Sequence, residues 1–372
     1  MNLKKNTKLI IFIYLIMLAG GLVISFFSGI VPDSKQYIIA FPPDSFTPDM
    51  GIQMVELNDL QPYIYETTFK REQLQNHDGD IGILITRFTS SGYRLFLNDC
   101  LIGQKGSMEK GNANLWNDAS FFGISSTKID DENVIRIESI ADYKTGLTTH
   151  PIYVMTTDHG LAFQRWFAFF NSDIIHIGIG FLVLGAILLI ILNIMPDNRD
   201  RLLIYLSIAM ISMAVYIYDY TSFEYLPFSY FVYKKIIMIS FWVSSLFIGV
   251  SIYKLLKSKA ALLISFIGFI GIVLISFLSP TIIDFKKAYD IWYLSQIINI
   301  ITWLIVSLRV YRKNIEARIL FIGYFVLFIF ALINFYVNSI GKIFSMNSPV
   351  IYIAVLSIMP LMLAYFDYTQ KT

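Results

Sequence analysis

Seven apolar runs in the second half of this 372-residue chain limit its possible folds more than any other feature. They cover Ile174–Met195, Leu202–Tyr218, Ile236–Tyr253, Ala260–Leu278, Ile291–Leu308, Ile319–Val337 and Pro349–Tyr365. A helix crosses a bilayer core with about 20 mostly apolar residues, within a range of about 17–25, and each run has that length. Turn and charge signals separate them: Pro196-Asp197-Asn198-Arg199-Asp200, Lys254 to Lys259, Ser279-Pro280 and Arg309 to Arg318. Strands of a membrane barrel would be about 10 residues long and would alternate polar with apolar. The chain is 56% apolar and 15% charged, against about 45–50% and about 25% in a soluble domain, so it reads as a multi-pass membrane protein.

Lysine and arginine set the expected orientation. The connections after runs one, three and five hold nine basic residues, and those after runs two, four and six hold five. The richer set is expected in the cytoplasm, with the C-terminus there and the chain before residue 172 outside. Trp166, Phe167, Phe169 and Phe170 then fit an interfacial belt at the outer boundary of the first run. At the start of the chain Lys4, Lys5 and Lys8 precede the apolar run Leu9–Phe27. That run exceeds the about 7–15 residues of a signal-peptide core, and no clear A-x-A site follows it. Residues 1–29 are a signal peptide or an N-terminal signal anchor, and either places residue 30 outside.

Residues 30–165 have a different pattern. Short β-branched and aromatic runs recur at Tyr37–Ala40, Tyr63–Thr68, Ile81–Thr86, Tyr93–Leu97, Ser120–Ile124, Val134–Ser139 and Ile152–Met155. Turn signals such as Ser90-Ser91-Gly92, Asn98-Asp99 and Asp130-Asp131-Glu132-Asn133 punctuate them. This predicts an extracellular all-β sandwich or jelly roll. Residues 30–171 carry 11 Lys and Arg against 18 Asp and Glu, which argues against nucleic acid as a partner. The single cysteine, Cys100, excludes an internal disulfide and a multi-thiolate metal site. The segment Tyr93-Arg94-Leu95-Phe96-Leu97-Asn98-Asp99-Cys100-Leu101-Ile102-Gly103 reads as a hairpin, and Asn133-Val134-Ile135-Arg136-Ile137-Glu138 as a half-buried strand. Together they resemble the "VYLNG-x-x-IG … N-x-I-x-I" signature of galactose-binding-like jelly rolls, a carbohydrate-binding type of sandwich, with Asp99 in place of the usual turn glycine.

The order of leader, β block (30–165) and seven-helix region (166–370) resembles the bacterial seven-transmembrane receptors with diverse intracellular signalling modules. The run from Gly180 through Ile191-Leu192-Asn193 to Arg199-Asp200-Arg201-Leu202 is similar to that family's passage from first to second span, with Leu192 where a tyrosine is frequent. The resemblance implies an extracellular ligand, seven transmitting helices, a cytoplasmic output domain or signalling partner, and signalling as a homodimer. The usual output module is lacking. The chain is therefore expected to be the sensor half of a longer protein or to signal through a separate partner.

Trp116 stands in Gly111-Asn112-Ala113-Asn114-Leu115-Trp116-Asn117-Asp118, one large aromatic among polar residues. Sugar rings have an apolar face and a hydroxyl rim, so aromatic platforms with amide and carboxylate neighbours suit them. Asn114, Trp116, Asn117 and Asp118 are therefore ligand candidates, with Tyr143 and Lys144 behind them. The alternative is that Trp116 fills the core beside a solvated loop. Asp78-Gly79-Asp80 reads as a turn and lacks the remaining ligands of a calcium loop. Within the helices, Gln296, Asn299 and Trp303 share one face, and Asn334 and His176 are candidates for the same interior. Such groups form a polar relay or simple interhelical glue. Pro360 is a candidate kink. No G-x-S-x-G, P-loop, histidine metal pattern or cofactor motif occurs, so enzymatic activity and a cofactor are not expected. The reading is a cell-surface receptor for a small molecule, plausibly a carbohydrate. The alternatives are a component of cell-envelope glycan synthesis or transport with an accessory β-domain, and a protein-docking assembly partner.

Overall fold

In the computed structural model the short β-branched runs become strands and the long apolar runs become helices. Residues 3–54, 62–74, 80–141, 144–147, 150–195, 200–340 and 350–371 are described, without the side chains of 3–6, 54, 331, 333–340, 350–351 and 367–371. The chain divides into two units. A β unit holds Ile30–Asp173 and Tyr220–Tyr233, and a helical unit holds Met1–Gly29, Ile174–Asp219 and Lys234–Thr372.

The leader forms α1 (Leu3–Ser28). In the β unit the strands are β1 (Ile39–Phe41), β2 (Gln53–Met54), β3 (Tyr63–Lys70), β4 (Ile81–Thr86), β5 (Phe88–Thr89), β6 (Gly92–Leu97), β7 (Cys100–Gly106), β8 (Ala119–Ile124), β9 (Glu132–Ile140), β10 (Lys144–Leu147) and β11 (Ile152–Thr156). They pair antiparallel in two four-stranded sheets, ordered β1-β11-β4-β8 and β3-β9-β6-β7, and one small sheet, β2-β10-β5. Alternation decides what is buried: in β3, Tyr65, Thr67 and Phe69 face inward while their neighbours face out. Ile83 and Ile85 of β4, Leu95 and Leu97 of β6, and Ile135 and Ile137 of β9 share one core, so both large sheets feed it. Strand β4 is buried along its whole length because α2 (Thr157–Ala168) covers its other face. A Cβ at Gly160 of α2 would collide with the Phe121 ring, so glycine permits that approach. Asn98 and Asp99 turn the β6–β7 hairpin with φ of 50° and 64°, a left-handed geometry that Asn and Asp adopt more readily than most residues. Asn98 Nδ2 donates to Asn133 Oδ1 at 2.9 Å, and the Val134 amide donates to Asn98 Oδ1 at 2.8 Å, so the two asparagines of the quoted signature meet.

The helical unit contains α3 (Ile174–Ile194), α4 (Arg201–Ile217), α5 (from Tyr230 to Leu256, its first turn within the β unit), α6 (Lys259–Leu278), α7 (Ile282–Tyr293), α8 (Ser295–Val310), α9 (Ile315–Ile340) and α10 (Val350–Lys371). Among the described residues, six helical segments are long and apolar enough to cross a membrane: Thr7–Ser28, Thr157–Ile194, Arg201–Tyr220, Tyr230–Leu256, Lys259–Leu278 and Ile282–Val310. The count is six rather than seven, and it includes α1. The expected fifth run lengthens because α7 and α8 adjoin at Leu294. The expected sixth and seventh runs fall in α9, which extends into side chains outside the described set, and in α10, whose apolar stretch Tyr352–Phe366 is shorter.

Helix α1 packs on α9 and α10. Tyr14 is fully buried, and its hydroxyl donates to the Ile319 carbonyl at 3.4 Å. A Cβ at Gly323 of α9 would lie 2.8 Å from that hydroxyl, so glycine leaves room for it. Arg318 Nη1 donates to Thr7 Oγ1 at 2.6 Å. We expect the mature protein to retain α1, with an intact mass that includes residues 1–29. Gly323→Val is expected to lower the melting temperature by displacing Tyr14. A mature chain beginning near residue 30, with a neutral Gly323→Val, would contradict this.

Candidate functional site

The loop at residues 111–118 alternates like a strand from Asn112 to Leu115 and turns at Trp116 and Asn117. Ala113 and Leu115 enter the core of the β unit, whereas Asn112, Asn114 and Asn117 are buried on the other side. Their side-chain amides donate to main-chain carbonyls. Asn112 Nδ2 reaches Leu226 at 2.6 Å, and Asn114 Nδ2 reaches Thr221 at 3.1 Å. Asn117 Nδ2 reaches both Tyr220, at 2.9 Å, and Asn171, at 2.8 Å. Asn114 and Phe223 also exchange backbone hydrogen bonds of 2.9 and 3.1 Å. The segment held in this way, residues 220–226, lies in the connection between α4 and α5.

Further contacts reinforce the clamp. Lys105 of β7 pairs with Glu224 at 2.8 Å and with Asp118 at 3.6 Å. The Trp116 and Tyr220 rings meet edge to face, with centroids 5.8 Å apart. Arg87, buried and at φ 52°, donates to Asn171 Oδ1 at 3.1 Å and lies 5.5 Å from the centroid of the Phe167 ring. Burial pulls its guanidinium pKa down to about 10. Asn171 lies in the π-helical turn Phe169–Asp173 that leads into α3, and its own amide donates to the Phe167 carbonyl at 3.1 Å. Burial, the largest influence, raises the Asp118 carboxyl above its ordinary range, against the opposing effects of Lys105 and the Ser120 hydroxyl.

Beside the clamp is a shallow cleft with about 250 Å³ of empty space out to its solvent-open mouth, lined by Ser90, Ser91, Asn114, Trp116, Lys144 and Tyr230 among others. The structure thus gathers Asn114, Trp116 and Lys144 at one place. Trp116 is half-buried and lies outside the core cluster, so it does not fill the core. Asn117 and Asp118 belong to the clamp rather than the cleft lining. Tyr143 and Asp78-Gly79 lie outside the described residues. Among the described residues, no group of three or more His, Cys, Asp or Glu could hold a metal ion.

In the helical unit Gln296 and Asn299 of α8 meet two serines that sequence reasoning missed. Ser245 of α5 donates to Gln296 Oε1 at 3.1 Å, Asn299 Nδ2 donates to the same oxygen at 2.9 Å, and Ser265 of α6 donates to Asn299 Oδ1 at 3.4 Å. Trp303 continues the buried face of α8 and meets the Tyr324 ring at 5.0 Å. His176 does not join them: it lies on an exposed face of α3, its ring 6.3 Å from that of Tyr218. Asn334 is on α9, with its side chain outside the described residues. In the β unit, sequence reasoning also missed Asn112, Arg87, Lys105 and Asn171. Two asparagines alternating with core-directed Ala113 and Leu115, and a third at 117, were the available signal for the clamp. Their acceptors are backbone carbonyls, which carry no signature.

Two outcomes are expected. Asn117→Ala leaves two carbonyls without their donor and should cost about 1–3 kcal/mol. It is read as a lower denaturation midpoint and faster hydrogen exchange at amides 220–226; unchanged exchange would contradict the clamp. For Asp118 the folded pKa lies above the unfolded one, so the native state keeps a proton that the unfolded chain loses. The stability this contributes is complete below the ordinary aspartate range and is lost as pH rises through the folded value. Asp118→Asn should remove that part of the pH dependence of the melting temperature.

No family model matches the chain, and no curated protein and no solved structure matches it.

Proposed function

We propose that this multi-pass membrane protein is a non-enzymatic sensor. Its β unit, a galactose-binding-like jelly roll on the outer face of the plasma membrane, takes a small molecule in the cleft at Trp116. The helices pass the signal to a cytoplasmic output domain or signalling protein. One observation carries the reading: Asn114 and Tyr230 line the cleft, Asn114 also holds the α4–α5 connection at Thr221 and Phe223, and Tyr230 is the first residue of α5. A molecule seated there touches groups covalently continuous with membrane-length helices. It shifts their equilibrium only as far as it prefers one arrangement of those groups over another. The satisfied hydrogen bonds among Ser245, Ser265, Gln296 and Asn299 support a gluing role for that cluster more than a relay.

The test is a thermal-shift screen of the full chain in lipid nanodiscs against sugars, amino acids and envelope fragments. A true ligand at about 100 times its Kd stabilises the native state by about 2.7 kcal/mol. Trp116→Ala should abolish the shift. The absence of any shift from a folded chain across the set would overturn the small-molecule reading. Orientation has its own check, because the single cysteine, Cys100, is exposed in the β unit. A membrane-impermeant maleimide should label it on intact cells, and labelling only after lysis would place the β unit inside.

A further inference from the structure

One end of the helical unit carries cations that the fold does not pair. Arg201 opens α4, Lys257 and Lys259 flank the turn from α5 to α6, and Arg309, Arg312 and Lys313 close α8. All six are exposed. Among the described residues none of them joins an ion pair. The described acidic side chains at this end do not balance them, because Asp200 pairs with Lys254 and Glu316 is buried. We propose that this surface, centred on Lys259, Arg309 and Arg312, binds the headgroup phosphate of an anionic phospholipid whose chains lie along α6 and α8.

Helix α6 packs against α8, and the two run antiparallel. Ser265 of α6 meets Asn299 of α8, and farther along α6 the Gly268 carbonyl accepts from Trp292, just before α8 begins. Lys259, at the opposite end of α6, therefore lies level with the last turns of α8. Ser265, Gly268 and Ile272 of α6 and Asn299, Trp303 and Ser307 of α8 form the buried faces of the pair. The outer faces are exposed apolar stripes: Leu263, Ile267, Ile270 and Leu274 on α6, and Ile301, Ile305 and Leu308 on α8. Steps of three and four residues keep each stripe on one face of its helix. The same steps lead from Leu263 back to Lys259, from Ile305 on to Arg309 and from Leu308 on to Arg312. Each lipid-facing stripe thus ends in a basic group.

The chemistry of that end suits a phosphate that carries net negative charge. A lipid whose chains cover the stripes brings its headgroup to the height of Lys259, Arg309 and Arg312, and long basic side chains reach along an apolar surface toward such groups. Two of the three are arginines, whose planar fork takes two phosphate oxygens at once. Lys257 adds a separate indication. It ends α5 at φ 56°, with its amide donating to the Tyr253 carbonyl at 2.8 Å. Glycine is the usual residue at a left-handed helix end, so this position keeps a cation at the surface against the preference of its backbone. Clusters of about four to eight Lys and Arg beside membrane helices attract anionic lipid, and the six unpaired cations at this end form one.

The experiment is native mass spectrometry of the full chain released from nanodiscs that hold equal parts of phosphatidylglycerol and phosphatidylcholine. The lipid that stays bound is expected to be phosphatidylglycerol about fivefold more often than phosphatidylcholine, the effect of one basic group at a membrane surface, or more. The triple variant Lys259→Gln, Arg309→Gln, Arg312→Gln should bring the ratio near one. Lys286→Gln with Lys287→Gln, at the other end of the unit, should leave it unchanged. The substituted side chains of the triple variant are exposed, so its melting temperature should match that of the unaltered chain. A ratio near one in the unaltered chain, a preference that the triple variant keeps, or one that the double variant lowers equally overturns the proposal. If lipid selectivity is absent and a polyglutamate peptide binds the unaltered chain but not the triple variant, the surface belongs to an acidic protein and the proposal fails. Each of these failures leaves the sensor reading of the β unit in place.

Discussion

One side-chain amide holds two distant parts of the chain. Asn117 Nδ2 donates to the carbonyls of Asn171 and Tyr220, which precede α3 and follow α4. A buried carbonyl without a donor costs about as much as a lost hydrogen bond. Thr221 and Leu226, the buried residues of the irregular segment 220–226, therefore depend on the amides of Asn114 and Asn112 for their carbonyls. Its base is closed within the helical unit, where Lys234 grips both oxygens of Asp219 at 2.6 and 2.9 Å. Both side chains are largely buried. The segment is thus held at Tyr220, Thr221 and Leu226 by amides and closed at its base by an ion pair.

Local patterning was legible where it was strong. The run Ile81–Thr86 is β4 to the residue, and the Asn98-Asp99 turn joins β6 and β7 as its composition predicts. The apolar runs near 174, 202, 260 and 319 start helices within a few residues of expectation. The short strands β2, β5 and β10 escaped, because two to four residues stabilised by distant partners leave no period to read. The clamp escaped for a related reason. Asparagine next to a core residue resembles any solvated loop, and its meaning comes from a segment more than 100 residues away. Trp116 and Lys144 were legible as residue types suited to a ligand. That they share one cleft with Tyr230 follows from tertiary structure alone.

The helices show the same division. Their apolar composition fixed the class of the protein, and the i, i+3, i+7 spacing of Gln296, Asn299 and Trp303 located the buried face of α8. The partners on other helices are small residues with no distinctive pattern. Gly249 lets α5 approach Ser265, and Gly268 and Gly271 of α6 lie under the Trp242 and Trp292 rings. Close packing of this kind, with a few satisfied polar bonds, is what drives helix association where lipid offers no hydrophobic gain. His176 belonged to the opposite face because one apolar helix looks much the same in every direction from its sequence.

The second entry of the chain into the β unit has a bearing on how the protein is made. A ribosome delivers Asn112, Asn114 and Asn117 long before Tyr220, Thr221 and Leu226. In between come two helices that must be placed in the bilayer. Until α3 and α4 have been made, Asn112 and Asn114 lack the carbonyls that their amides reach, and Asn117 has only that of Asn171. Completion of the β unit therefore follows the synthesis of both helices. A β fragment cut free before residue 220 would be a half-finished domain with its docking face open to water.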